Sequence, residues 1–200
     1  MPYTALGKNQ MLDALRGIAP TIPVTHAGLF DEDPAITAVT GVASTDLLTK
    51  VGHGLSNGDL VVLRNLTGGS GLFNEIPYRV VGVAGNDFQL SRVPAGPAID
   101  FTTNITGVDV IRLVEISGGA PAYARKAIAF AAALDAQIDD TTNGAVFDVP
   151  AGFTVNYVGF FSALSGGSLL GIDDVVAESF GGQGTYTVTD AKLDLRTGGF

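Results

Sequence analysis

The chain of 200 residues contains no cysteine. Disulfides, thiolate metal sites and cysteine nucleophiles are therefore excluded. Histidine is nearly absent as well, with only His26 and His53. Two histidines far apart in sequence, without cysteine, make a poor zinc ligand set. A Ser-His hydrolase needs a histidine beside its nucleophile, and no Gly-x-Ser-x-Gly elbow surrounds any serine. Positive charge is scarce, 11 Lys and Arg against 20 Asp and Glu, for a net charge of −9. Such a chain lacks the basic footprint that a phosphate backbone requires, and an anionic membrane surface repels it. Long apolar runs are missing too. The longest, Ala127 to Leu134, falls far short of a membrane span, and no signal-peptide pattern opens the chain. We therefore expect a soluble protein made in a cytoplasm, with no nucleic-acid partner and no membrane insertion.

What is present is material for a core and for many turns. Hydrophobic residues make up 46% and charged residues 16%, which leaves little for a disordered tail. The 27 glycines and 9 prolines are spread along the chain, as many short strands would require. Leu6, Met11, Leu12, Leu15 and Ile18 recur near helical spacing before Gly17 and Pro20 interrupt the pattern, which predicts a short helix over Lys8–Ile18. A strand is expected over Ile22–Phe30, then a polar turn at Asp31-Glu32-Asp33-Pro34.

From Ile36 the texture changes. Val39–Leu48 and Thr49–Val51 are rich in β-branched residues, and His53-Gly54-Leu55-Ser56-Asn57-Gly58-Asp59 reads as a tight turn before a strand at Leu60–Arg64. Tyr78–Val83 and Phe88–Leu90 flank Ala84-Gly85-Asn86-Asp87 as the arms of a hairpin. The first texture returns after Leu113. Strands are expected over Tyr123–Phe130, where the alanines also favour helix, with Ala131–Ala136 leading into a loop. Others are expected over Ala145–Val149, Thr154–Phe161, Ser168–Leu170, Thr185–Thr189 and Lys192–Leu195.

No group of residues announces chemistry. Gly68-Gly69-Ser70-Gly71 and Gly181-Gly182-Gln183-Gly184 lack both the Lys-Ser/Thr ending of a P-loop and dinucleotide-binding spacing, so they read as loops. The carboxylates at Asp31-Glu32-Asp33, Asp139-Asp140 and Asp173-Asp174 read as solvated turn acids. Calcium is the alternative for such oxygen-rich turns, and a glycosidase pair would need two of them across a cleft. Tyr157, Phe160, Phe161, Phe180 and Tyr186 are expected in a core, with one or two left for a contact. We therefore expect no catalytic, cofactor-binding or metal-binding residues.

Several segments carry a resemblance. They are His26-Ala27-Gly28-Leu29-Phe30-Asp31-Glu32-Asp33-Pro34, Glu115-Ile116-Ser117-Gly118-Gly119, Tyr123-Ala124-Arg125-Lys126 and Val149-Pro150-Ala151-Gly152. Gly159-Phe160-Phe161, Ser165-Gly166-Gly167 and Phe180-Gly181-Gly182-Gln183-Gly184-Thr185-Tyr186 continue it. Together they resemble the small tail and virion structural proteins of phages infecting actinobacteria and their relatives. Residues 36–113 stand where that family has only a short loop, and insertion into a loop costs little closure entropy. The His53-Gly54-Leu55-Ser56 turn, with Asp59 and the Val-rich strand after it, resembles small β modules of phage tail proteins.

The resemblance implies an all-β protein: a jelly-roll-like β-sandwich with a short N-terminal helix, formed by residues 1–35 and 114–200, carrying an inserted small β domain at 36–113. It implies a non-enzymatic structural protein of a bacteriophage particle, made in the host cytoplasm and located in the virion. The role it favours is a tail component, a minor tail or fibre-associated protein. Such a protein acts through symmetric contacts with other virion proteins, as a homo-oligomer such as a trimer, with the insert reaching for peripheral contacts or a host-surface glycan. A capsid decoration protein and a carbohydrate-binding or carbohydrate-cleaving module are the alternatives.

Overall fold

The computed structural model describes residues 23–130, 137–139, 144–189 and 192–194, together with Gly7, Leu12 and Asp13. The helix expected over Lys8–Ile18 lies outside the described residues, Leu12 and Asp13 apart, as does the loop expected at Ala131–Ala136. The strands, in chain order, begin with β1 (His26–Glu32), β2 (Ile36–Val42), β3 (Leu47–Thr49), β4 (Leu60–Gly68), β5 (Tyr78–Ala84), β6 (Asp87–Ser91) and β7 (Ile105–Glu115). They continue with β8 (Lys126–Ala127), β9 (Gln137–Asp139), β10 (Ala145–Val149), β11 (Thr154–Phe161), β12 (Leu169–Ser179), β13 (Gly184–Val188) and β14 (Lys192–Asp194). The fold class is all-β. Two compact units divide the chain: Met1–Asp31 with Glu115–Phe200, and Glu32–Val114 between them.

The unit Glu32–Val114 is a closed six-stranded antiparallel barrel, in the order β7-β2-β3-β6-β5-β4 with β4 returning to β7. Alternation fills its interior: Val61 and Leu63 of β4, Val80 of β5, Phe88 and Leu90 of β6, and Val108 and Val110 of β7. Closure demands strong coiling, and three strands supply it by the same device. Two residues stand opposite one at Thr37-Ala38 against Asp109, at Asn65-Leu66 against Val108, and at Gly82-Val83 against Phe88. In each bulge one residue takes a left-handed conformation: Ala38 at φ 55°, Asn65 at 54° and Gly82 at 61°. Such bulges bend the strand and raise its twist.

The other unit holds an antiparallel sheet in the order β12-β11-β1, with β8 also pairing with β1. Two ribbons accompany it, β10 with β13 and β9 with β14. Phe147 and Val149 of β10 and Val188 of β13 lie in one buried cluster with Ala27 and Leu29 of β1 and Val155, Val158 and Phe160 of β11. Gly28 and Gly159 face each other in register across β1 and β11. A Cβ on Gly159 would come 2.4 Å from the Phe30 ring, and one on Gly28 would come 2.9 Å from the Phe161 ring. Without side chains at this rung the two rings stack, their centroids 5.9 Å apart.

Several expected elements change. The first strand begins at His26 and runs through Glu32, so Asp31 and Glu32 belong to β1 rather than to a turn. Val39–Leu48 is broken by a turn at residues 43–46, where Asp46 has φ 55°. Tyr123–Phe130 shrinks to the two residues of β8, because the Tyr123 and Arg125 side chains are drawn to Leu29 and Glu115. Ser168–Leu170 becomes the eleven-residue β12, which places Asp173 and Asp174 in a strand. No strand was expected over Ile105–Glu115, the range of β7.

Candidate interaction surface

In the unit Met1–Asp31 with Glu115–Phe200, Arg125 is nearly buried, its side chain only 11% exposed. Its Nε and Nη2 donate to both Glu115 carboxylate oxygens at 2.7 Å, and its Nη1 donates to the carbonyls of Ala163 and Gly166. The guanidinium lies 3.4 Å from the centroid of the Phe161 ring. Beside it the Tyr123 hydroxyl accepts from the Leu29 N–H at 2.7 Å, and burial, foremost, holds the phenol well above its ordinary range. Four of the five guanidinium N–H groups meet internal acceptors. The cluster ties β1, β7, β11 and the Ala163–Gly166 turn together, and it presents no group to a substrate.

The acids of Asp31-Glu32-Asp33 have separate partners. Asp31 accepts from the Thr154 N–H at 3.1 Å. Glu32 is bidentate to Arg64, at 2.5 and 2.9 Å, and Arg64 reaches on to Glu75 at 2.7 Å. Asp33 pairs with Arg112, whose guanidinium is raised by that hydrogen bond above all, and Arg112 also approaches Asp59 at 3.6 Å. Side chains turned to different partners do not converge as a calcium site requires. Among the described residues no three His, Asp or Glu side chains are grouped to hold a metal ion. Asp173 and Asp174 sit on β12, where burial raises the Asp173 carboxyl. Asp139 lies in β9, and Asp140 is outside the described residues.

The two histidines lie in different units. The His26 Nδ1 meets the hydroxyl of its neighbour Thr25 at 2.8 Å. His53 is buried against Phe88, ring centroids 5.0 Å apart, and its Nδ1 accepts from the Leu55 N–H at 3.0 Å. That bond places the ring proton on Nε2, which is buried without a partner. Of the aromatics expected in a core, Tyr157, Phe160 and Phe161 are buried, and Phe180 and Tyr186 are partly covered.

The glycine-rich loop after β4 has a different character. Phe73 is 53% exposed at its tip, yet the backbone around it is fixed at nearly every residue. The Ser70 N–H donates to the Thr103 hydroxyl and the Leu72 N–H to the Gly69 carbonyl, both at 2.9 Å. The Phe73 N–H donates to the buried Tyr78 hydroxyl at 2.8 Å. The Asn74 side chain accepts from the Leu66 N–H at 3.2 Å, and the Glu75 N–H donates to the Leu63 carbonyl at 2.9 Å. Arg92 donates from Nη2 to the Gly71 carbonyl at 2.9 Å. Gly68, Gly69, Gly71 and, more unusually, Glu75 take positive φ. An aromatic held in water by an ordered backbone is a preorganised contact, since little side-chain and loop entropy remains to be lost on binding. Sequence reasoning passed over Phe73 because it follows a glycine cluster and belongs to no alternating run. The cue available was a lone aromatic among turn residues. None of the protein families, curated proteins or solved structures with which the chain was compared matches it.

Proposed function

We propose that this protein is a non-enzymatic structural component of a bacteriophage particle, a tail component acting through repeated protein–protein contacts. Residues 1–31 with 115–200 form the scaffold, a jelly-roll-like β-sandwich that docks into the virion. The barrel is an inserted domain that reaches outward for peripheral contacts or a host-surface glycan. The observation that supports this most is where the polar side chains go. Arg125, Arg64 and Arg112 hold carboxylates in structural ties, and an aromatic, Phe73, is exposed on a hydrogen-bonded loop. A protein with ties and contact points but no convergent reactive groups suits assembly. The resemblance of the segments around His26, Glu115 and Phe180 to phage virion proteins supplies the particle.

Immunogold electron microscopy of intact particles, with antibody against the purified chain, tests the reading. Label along or at the end of the tail is the expected result. Label spread over the head would make the chain a capsid decoration protein, and unlabelled particles would remove it from the virion.

A further inference from the structure

Two exposed patches on this chain match each other. The first is the Phe73 tip with Arg92 beside it. Arg92 donates one bond to the Gly71 carbonyl and meets no carboxylate among the described residues, unlike Arg64 and Arg112. The second lies on β12. Tyr157 faces Asp174 and Val155 faces Glu178, so Val175, Val176 and Ala177 stand opposite Asn156 alone. Val175 turns into the buried cluster, and Val176, its neighbour, turns out at 90% exposure. Glu178, two residues on, is exposed and meets no cation among the described residues. One patch therefore offers an aromatic and a guanidinium, the other an aliphatic side chain and a carboxylate.

We propose that copies of this chain join head to tail, with Phe73 and Arg92 of one copy seated on Val176 and Glu178 of the next. The proposal rests on the structural reading above and gives it a contact. Charge favours this pairing over a like-with-like one. With 20 acidic residues against 11 basic ones, two copies meeting through arbitrary surfaces repel. An arginine without a carboxylate partner, set against an exposed glutamate, replaces that repulsion with attraction at the point of contact. Because the two patches differ, the contact is heterologous. Each copy keeps one patch free for another neighbour, and the assembly closes as a ring or extends as a filament.

Sedimentation velocity of the full chain over a wide concentration range tests this. Wild type should associate, and high salt should weaken the association. Phe73→Ala and Val176→Asp should each remove extended assembly while near-UV circular dichroism stays unchanged. Mixing those two variants should restore a dimer and nothing larger, since one keeps Val176 and the other keeps Phe73. Arg92→Glu and Glu178→Arg should each weaken association about tenfold or more, and a mixture of the two reversals should recover it at both contacts of an alternating assembly, one with the native charge pair and one with the pair exchanged. A chain that stays monomeric throughout, or associates equally well with these changes, overturns the contact. Association through another surface together with gold-labelled particles sinks this contact and leaves the virion reading standing. Head-to-tail association with unlabelled particles does the reverse.

Discussion

In the unit Glu32–Val114 all six strands have a hydrogen-bonded neighbour on both sides, whereas in the other unit β12 ends its sheet among the described residues. The barrel completes its backbone pairing within itself and leaves no edge to manage. The second unit relies more on side chains that tie separate segments, chiefly Arg125, and it blunts the far half of β12 with a bulge rather than by pairing. The polar ties follow the same division. Arg64 in the barrel is 37% exposed, and Arg125 is 11% exposed. An ion pair open to water adds little to stability, but a nearly buried arginine with four hydrogen bonds is expensive to break.

The largest expected effect tests that division. Arg125→Ala leaves the half-buried Glu115 without its arginine and removes the cover on Phe161, and should destabilise by about 3 kcal/mol. Arg64→Ala should lose no more than about 1 kcal/mol. Urea unfolding followed by tyrosine fluorescence measures both. Equal losses would show that burial does not separate the two ties.

High pH comes next, and it sharpens the comparison because each unit has a phenol raised mainly by burial. Tyr123 and Tyr78 are both raised above the ordinary 10.0, in each case mainly by burial. The folded chain then keeps protons that the unfolded chain gives up as pH passes 10. Folding stability is therefore complete below that value and falls as pH rises through the folded-state values. Tyr123 is shifted further, so Tyr123→Phe should flatten more of the alkaline loss than Tyr78→Phe, although each leaves a backbone N–H, of Leu29 or Phe73, without its acceptor. Thermal melts of the three proteins from neutral pH to about pH 11 show the slopes. Parallel slopes would mean that neither phenol stays protonated in the fold.

Where the sequence was readable, the signal was local. Thr154–Phe161 is β11 residue for residue, and Ala84-Gly85-Asn86-Asp87 is the expected hairpin turn, with Ala84 facing Asp87. Both are fixed by alternation and turn chemistry within a few residues. The unread parts depend on distant partners. The C-terminal half of β12 is exposed, where acids and serine carry no burial penalty, so Asp173-Asp174 reads as a turn although it continues a strand. β7 runs from the barrel into Glu115 with no turn residue to mark its end. Barrel closure needs β4 to pair with β7, Leu60 facing Leu113, and no local pattern declares so distant a pairing. Among candidate contact residues the aromatic strands drew attention, and Tyr157, Phe160 and Phe161 lie inside. The Phe73 backbone is anchored by Tyr78 and the nearby Gly71 by Arg92, the latter 21 residues away and outside any short motif.

The smallest expected effect concerns how the barrel was closed. Ala38 stands in the β2 bulge at φ 55°, a conformation that places Cβ against its own backbone, while Gly82 fills the comparable position in β5. Holding alanine there costs roughly 1–2 kcal/mol. Glycine removes that strain but has more unfolded-state freedom to lose, worth about 0.5–1 kcal/mol. Ala38 is exposed, so no packing is lost with its methyl group. Ala38→Gly should therefore stabilise the chain by about 0.5–1 kcal/mol, seen as a higher urea midpoint at unchanged slope. Asn65→Gly should not, because asparagine tolerates the left-handed region and the Asn65 amide also donates to Asp109 at 2.7 Å across the same bulge. Opposite signs for the two substitutions would tie barrel closure to bulges that bear strain at one strand and relieve it with a side-chain bond at another. A loss of stability in Ala38→Gly would instead mean that β2 is bent by its neighbours and that the bulge itself carries no strain to release.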